Sequence, residues 1–170
     1  MSTMKKSLLA RLKKSKKGFT LIELIVVIAI IGVLAAILVP TVLGYVNDAR
    51  VTAANANAKQ IYTAAQSYLT KLNSDNTIPS TTGTFTKTVA GVYGVTGTFS
   101  GTAPTAATLE TALESYLGED FPGAFNVSFD AGGTLDEVYW SASALPATLS
   151  VPNENGIISG NTAIVGYYAQ

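Results

Sequence analysis

The feature that most constrains this chain is an apolar run near its start. Between Phe19 and Val39, twenty-one residues, only Thr20 and Glu23 interrupt the hydrocarbon. As an α-helix this run is about 30 Å long, which matches the apolar core of a bilayer. Seven of the eleven basic residues precede it, namely Lys5, Lys6, Arg11, Lys13, Lys14, Lys16 and Lys17. We therefore expect one membrane span with a cytoplasmic N-terminus, and everything after Pro40 on the outside.

Glu23 is unusual because a carboxylate near the end of a membrane span is costly, and such residues are usually functional. It closes the sequence Lys16-Lys17-Gly18-Phe19-Thr20-Leu21-Ile22-Glu23. This order of basic leader, glycine, aromatic residue, acid and span resembles the class III signal of type IV pilins and related pseudopilins. The resemblance covers about residues 16–54, and beyond them only the general layout is shared.

The resemblance implies specific roles for five residues. A prepilin peptidase would cut between Gly18 and Phe19 and methylate the new amine of Phe19. Glu23 would pair with the N-terminal amine of a neighbouring subunit, while Gly32 and Pro40 stand where such pilins carry helix-weakening residues. The implied partners are further pilin subunits and the inner-membrane assembly platform. An α-amine has an ordinary pKa of about 7.7 to 8, so the cut end can be cationic beside a carboxylate.

Three other interpretations share parts of this pattern. An ordinary secretory signal also has a basic region and an apolar core, and Leu34-Ala35-Ala36 offers small residues near its end. Glu23 inside the core and the length of the run argue against it. A signal-anchored enzyme or receptor is the second alternative. The third, a pseudopilin of a type II secretion or DNA-uptake system, shares every N-terminal feature.

Composition favours an exported structural protein over an enzyme. From residue 19 onward, eleven acidic residues face only four basic ones, a balance of −7, which disfavours nonspecific binding to nucleic acid. The chain has no histidine and no cysteine, so it cannot build Ser-His-Asp or Cys-His catalysis or an ordinary zinc site. We therefore expect no enzyme activity, no cofactor and no metal. The missing cysteines also depart from the disulfide-closed loop of many pilins of Gram-negative bacteria.

We expect an α+β fold in four segments. Residues 1–18 form a cleaved leader, residues 19–39 the span, residues 40–73 an amphipathic continuation of the same helix, and residues 74–170 a globular head. Pro40 should kink or open the helix near Ile37 to Thr41 without ending it. Beyond it, apolar residues recur at three- and four-residue steps and should pack against the head: Ala54, Ala58, Ile61, Ala65, Tyr68 and Leu72.

The head should hold a short helix and a small antiparallel sheet of three to five strands. The helix is predicted from Thr105 to Leu117, with Gly118 as its stop. Alternation over 125–129 and 138–140 around Gly132-Gly133 predicts a hairpin. A third strand is predicted at Leu149 and Val151, and further strand at 157–158 and 162–168. Residues 80–108 are compatible with either short edge strands or an ordered loop.

Three weaker signals in the head have simpler explanations. Asp130, Asp136 and Glu137 could offer oxygen ligands to calcium, but solvated turn acids explain them better. Aromatic residues of two predicted strands could form a binding strip, but core and cross-strand packing explains them more simply: Tyr139, Trp140, Tyr167 and Tyr168. The triplet Asn126-Val127-Ser128 is a weak glycosylation signal.

Overall fold

The computed structural model describes residues 18–154, 156–158 and 163–169. Except for Gly18, the predicted leader lies outside these residues. The chain divides into two compact units, one up to Gly44 and one from Tyr45 onward. Within the described residues, two helices and five strands follow one another: α1 (Leu21–Ser74), β1 (Gly83–Lys87), β2 (Tyr93–Val95), α2 (Ala106–Leu117), β3 (Ala124–Phe129), β4 (Leu135–Ser141) and β5 (Val165–Ala169).

Helix α1 continues through Pro40, as predicted, and ends at Ser74, next to the expected boundary at residue 73. Its last turn closes with two hydrogen bonds, from the Thr77 amide to the Leu72 carbonyl at 2.8 Å and from the Asn76 amide to the Asn73 carbonyl at 3.1 Å. Asn76 adopts a positive φ of 59° between them. This is the paired arrangement that commonly satisfies the orphan carbonyls at a helix C-terminus.

The C-terminal half of α1 packs against the sheet through the predicted stripe. All six predicted positions are buried, and Ala64 and Leu69 join them. They share one core with apolar side chains from the sheet, among them Phe85, Phe125, Val127, Phe129, Val138 and Trp140. Small alanines on the helix let its backbone approach the sheet closely, and the aromatic rings fill the remaining space.

The five strands form one antiparallel sheet in the order β2-β1-β3-β4-β5. The predicted hairpin is present as β3 and β4, with Phe125 opposite Trp140 and Val127 opposite Val138. Gly132 and Gly133 form its turn with φ of 115° and 83°, a region that side chains with a Cβ rarely adopt. Residues 80–108, left open by the sequence, contain β1 and the edge strand β2.

Helix α2 matches its prediction at both ends. Thr105 caps its start, where its hydroxyl accepts the Thr108 amide at 3.2 Å. At the other end the Gly118 amide donates to the Glu114 carbonyl at 2.8 Å, with Gly118 at a φ of 91°. Buried Leu109 and Leu113 face the core.

The predicted third strand at Leu149 and Val151 is wrong. Residues 142–154 contain no strand. Pro146 and Pro152 bracket the segment, and proline cannot donate to a strand ladder. Leu149 instead packs on the outer face of the sheet, together with Leu145, over a small cluster of Tyr139, Ile158 and Val165. The further strand predicted at 157–158 and 162–168 is present as a single bridge from Ile157 to Ile164 and as β5, while residue 162 lies outside the described residues.

Lys87 is a buried cation, only 8% exposed, at the end of β1. Its ammonium donates to the Phe121 carbonyl at 2.5 Å and lies 5.6 Å from the centre of the Tyr93 ring. These contacts tie the segment after α2 to the sheet. Burying the Lys87 ammonium also has a desolvation cost, which an apolar side chain of similar size avoids.

We expect Lys87→Met to leave the free energy of unfolding within about 1 kcal/mol of wild type, or to raise it, because methionine fills the same space without a buried charge. Lys87→Ala should lower it by about 2 kcal/mol or more through the cavity it leaves. Denaturant titrations followed by Trp140 fluorescence measure both changes. A methionine variant as unstable as the alanine variant would show that the charge itself is required.

Candidate functional site

The N-terminus of α1 is closed by a reciprocal pair of Thr20 and Glu23. The Thr20 amide and hydroxyl both donate to Glu23 Oε2, at 2.8 and 2.7 Å, and the Glu23 amide donates back to the Thr20 hydroxyl at 3.3 Å. Threonine at the cap and glutamate three residues later form a capping box. The other carboxylate oxygen, Oε1, accepts no hydrogen bond from any residue that the structure describes. Glu23 is therefore held in place with one oxygen available to a further donor.

The proposed cleavage site lies just before this cap. Gly18 and Phe19 precede the first helical residue, Leu21, and Phe19 is 88% exposed. A Cβ built on Gly18 would meet no described atom within 4 Å. The peptide bond between them is thus outside the helix and is not shielded by the described part of the fold.

The part of α1 that follows presents an apolar surface. Its large apolar side chains from Leu21 to Val46 are exposed. The helix contains a stretch long and apolar enough to cross a membrane. Gly32 and Pro40 both lie within this surface, and Gly32 has open space around its Cα. A continuous apolar surface of this length marks a membrane or protein interface.

The acidic residues of the predicted hairpin do not converge on a metal-binding geometry. Within the described ranges no three acidic side chains come together as ligands. Asp130 accepts the Thr134 amide at 2.8 Å within the turn. Glu137 accepts the hydroxyls of Tyr139 and Tyr167, at 2.9 and 3.2 Å. Burial, with the adjacent Glu137 carboxylate, raises the pKa of Tyr139.

The aromatic strip is wrong as a single surface. Tyr139 and Tyr167 lie together on the outer face of the sheet, with ring centres 5.2 Å apart. Trp140 belongs to the core on the inner face, and its indole donates to the Pro122 carbonyl at 2.8 Å. Tyr168, also inward, stacks edge-on against Tyr62 of α1. Because successive residues of a strand point to opposite faces, the four rings cannot share one surface.

The sequence missed a contact between α1 and the last strand. The Tyr167 amide donates to Asn55 Oδ1 at 3.0 Å, although Asn55 is not among the α1 residues predicted to pack against the head. Beside it, a Cβ on Gly166 would overlap the carbonyl of Ala54. The glycine between apolar strand residues was the available signal, since glycine inside a strand often marks a close backbone approach.

These features define a class of protein: an α+β chain whose apolar N-terminal helix segment carries an acid in its first turn and is preceded in the sequence by basic residues and a glycine. The family described as the prokaryotic N-terminal methylation motif matches residues 13–39. The N-terminal segment of the chain is therefore similar to that of type IV pilins and prepilins.

Several curated proteins are similar to about a third of the chain. A type IV major pilin protein of Myxococcus xanthus is 40% identical over 62 residues, 36% of this chain and 28% of that protein. A fimbrial protein of Pseudomonas aeruginosa is 50% identical over 54 residues, 32% of this chain and 35% of that protein. The type II secretion system core protein G of the same species is 43% identical over 56 residues, 33% of this chain and 39% of that protein.

The chain thus spans about a third of the length of the curated relatives it matches. No solved structure gives a significant match. The similarity therefore covers about a third of the chain, and the head is described by its own structure.

Proposed function

We propose that this chain is a structural subunit of a type IV pilus. A prepilin peptidase cuts it between Gly18 and Phe19, the Phe19 amine is methylated, and many copies then polymerise. The observation that carries this proposal is the exposed apolar segment of α1, because it begins with a capped acid and follows a peptide bond outside the helix. Such a segment can be covered first by lipid and later by the same segment of neighbouring copies.

Cleavage acts as the assembly switch in this proposal. Before the cut, residue 19 carries an uncharged amide and no cation is present there. After the cut, Phe19 carries an α-amine that can be cationic, and one methyl group leaves that charge possible. Glu23 Oε1 of an adjacent subunit can then accept a hydrogen bond from this amine. The pairing gives the Glu23 carboxylate a partner in an apolar environment, and it stabilises one axial register between subunits.

Localisation follows the same order. The uncleaved chain spans the cytoplasmic membrane once, with its seven basic leader residues in the cytoplasm. The inner-membrane assembly platform then moves the processed subunit into a fibre outside the cell. From residue 19 onward the chain has more acidic than basic residues, which disfavours binding to the phosphates of nucleic acid. Direct binding of nucleic acid is therefore not part of the proposed role.

A pseudopilin of a type II secretion or DNA-uptake system is the second candidate. It is favoured by the match to core protein G of a type II secretion system. Immunogold electron microscopy of cells producing the protein separates the two functions. Long labelled surface fibres support the pilus subunit, whereas label confined to the cell envelope supports the pseudopilin.

Processing gives the first prediction for this proposal. We expect the assembled protein to begin at Phe19 with one additional methyl group, because Gly18 lies between the basic leader and the apolar span. Intact mass and N-terminal fragmentation of membrane and fibre fractions measure this. A mature end at or beyond Ala36 would establish an ordinary signal peptide, and an intact Met1 would establish a signal anchor.

A second prediction concerns the helix between Gly32 and Pro40. Pro40 removes one helical hydrogen bond, and Gly32 lowers local helix propensity by about 1 kcal/mol relative to alanine. We propose that this segment, helical in the single subunit, unwinds locally when subunits pack and so adjusts their axial spacing. A filament reconstruction by cryo-electron microscopy measures it. Regular helix through Ala36 to Val39 in the filament would contradict the proposal.

A further inference from the structure

A cavity of about 270 Å³ opens on the outer face of the sheet, away from α1. Its floor is the outward side of β1 and β3 at Thr86 and Asn126, and its far wall is the segment 144–149. Asn126 lies in the middle of the sheet, opposite Thr86 on one side and Tyr139 on the other. Asparagine is disfavoured at such a central strand position, where β-branched and aromatic residues pack better.

The Asn126 carboxamide has no hydrogen-bond partner among the residues that the structure describes. The neighbouring hydroxyls are engaged, since Thr86 donates to the Gly94 carbonyl at 3.4 Å and Thr88 accepts the Val92 amide at 3.1 Å. The half-buried carboxamide therefore offers two donor hydrogens and an acceptor oxygen side by side at the cavity floor. A half-buried amide gains most from a partner that offers the complementary acceptor and donor.

The rest of the lining determines what that partner can be. Leu145, Pro146 and Leu149 give the far wall an aliphatic character. The Lys87 ammonium does not serve the cavity, because it is bound at the Phe121 carbonyl. The site thus combines one neutral amide with aliphatic walls, which fits an uncharged ligand.

We propose that this cavity binds a secondary amide that carries a small aliphatic group, such as an acetamido group. The ligand amide would pair with the Asn126 carboxamide, and its methyl group would lie against Leu145 and Leu149. Two sources supply this chemistry: an N-acetylhexosamine of a polysaccharide, or the backbone of a short apolar peptide. The volume lies just below the usual range for ligand sites, so affinities of about millimolar are expected.

Saturation-transfer-difference NMR on the full chain in detergent micelles tests the site. The probes are N-acetylglucosamine, N-acetyl-L-alanine methylamide and, as a matched ligand without an amide, glucose. We expect transfer to the acetyl methyl of at least one amide probe and none to glucose. Response to the sugar alone assigns a polysaccharide source, response to the peptide mimic alone assigns a peptide source, and response to both supports recognition of the shared group.

Two variants connect the signal to the cavity. Asn126→Val removes the carboxamide and suits a strand, while Ala147→Phe keeps Asn126 and obstructs the exposed rim. Both should reduce the transfer at least about fivefold, whereas Ser128→Ala, on the same strand but outside the cavity, should not. Fibre yield should be unchanged in all three, which separates this site from the pilus proposal. Equal transfer to glucose, no transfer above empty micelles, or full transfer in both cavity variants would overturn the proposal.

Discussion

Glu23→Ala should yield a subunit that is cleaved and methylated but stays in the membrane. Glu23 lies five residues beyond the scissile bond, so the peptidase does not need it, whereas its proposed partner exists only after the cut. Without the pairing, the energetic cost of an isolated carboxylate in the membrane is no longer offset by assembly, and neighbouring subunits lose their preference for one axial register. We expect the sheared-fibre fraction to fall at least about tenfold, with the membrane fraction retaining processed protein.

The capping box gives Glu23 a second possible role, and Glu23→Gln separates the two. Glutamine can still accept the Thr20 amide, so it preserves the cap while removing the charge. If pairing with the neighbour's amine is required, Gln and Ala both abolish fibres. If capping alone matters, Gln restores them and Thr20→Val, which removes the capping hydroxyl, is as defective as Glu23→Ala.

Immunoblots of membrane and sheared-fibre fractions, with N-terminal mass on each, measure both outcomes. Glu154→Ala is the matched control, because it removes an exposed carboxylate from the head. It should assemble normally. Wild-type fibre yield from Glu23→Ala would contradict the pairing mechanism, and uncleaved Glu23→Ala would move the role of Glu23 to processing.

Local patterns in the sequence were enough for most of the fold. The helical stripe from Ala54 to Leu72 and the alternation around Gly132-Gly133 each bury one face, so periodicity alone specifies which residues enter the core. The stop of α2 at Gly118 likewise follows from backbone preference. In each of these cases the information lies within a few residues of the structure that it determines.

The remaining features depend on contacts between distant segments. Leu149 and Val151 are residue types that favour strands, but prolines stand on either side of them. The segment therefore forms no strand, and Leu149 packs on the apolar patch of the outer sheet face. The register of β4 against β5 places Tyr139 opposite Tyr167 and Trp140 opposite Gly166, which composition cannot reveal. The role of Asn55 depends on a strand 112 residues further along the chain.

That distant contact leads to the largest expected effect on stability, at Gly166. The β5 backbone lies against α1 so closely that a Cβ on Gly166 would overlap the Ala54 carbonyl. A backbone carbonyl inside a helix cannot rotate away, so Gly166→Ala must push the strand from the helix. That movement also weakens the bond from the Tyr167 amide to Asn55. We expect the free energy of unfolding to fall by about 2 to 4 kcal/mol.

Thermal and denaturant unfolding of the full chain in detergent, followed by near-ultraviolet circular dichroism of the core aromatic residues, measures this loss. Gly44→Ala is the matched control, since its Cβ would meet nothing within 4 Å and alanine favours helix by about 1 kcal/mol. Asn55→Ala should cost about 1 to 2 kcal/mol, because it removes the bond without the overlap. If the overlap dominates, the proteins rank from most to least stable as Gly44→Ala, wild type, Asn55→Ala and Gly166→Ala. A Gly166→Ala protein as stable as wild type would show that β5 moves off the helix freely.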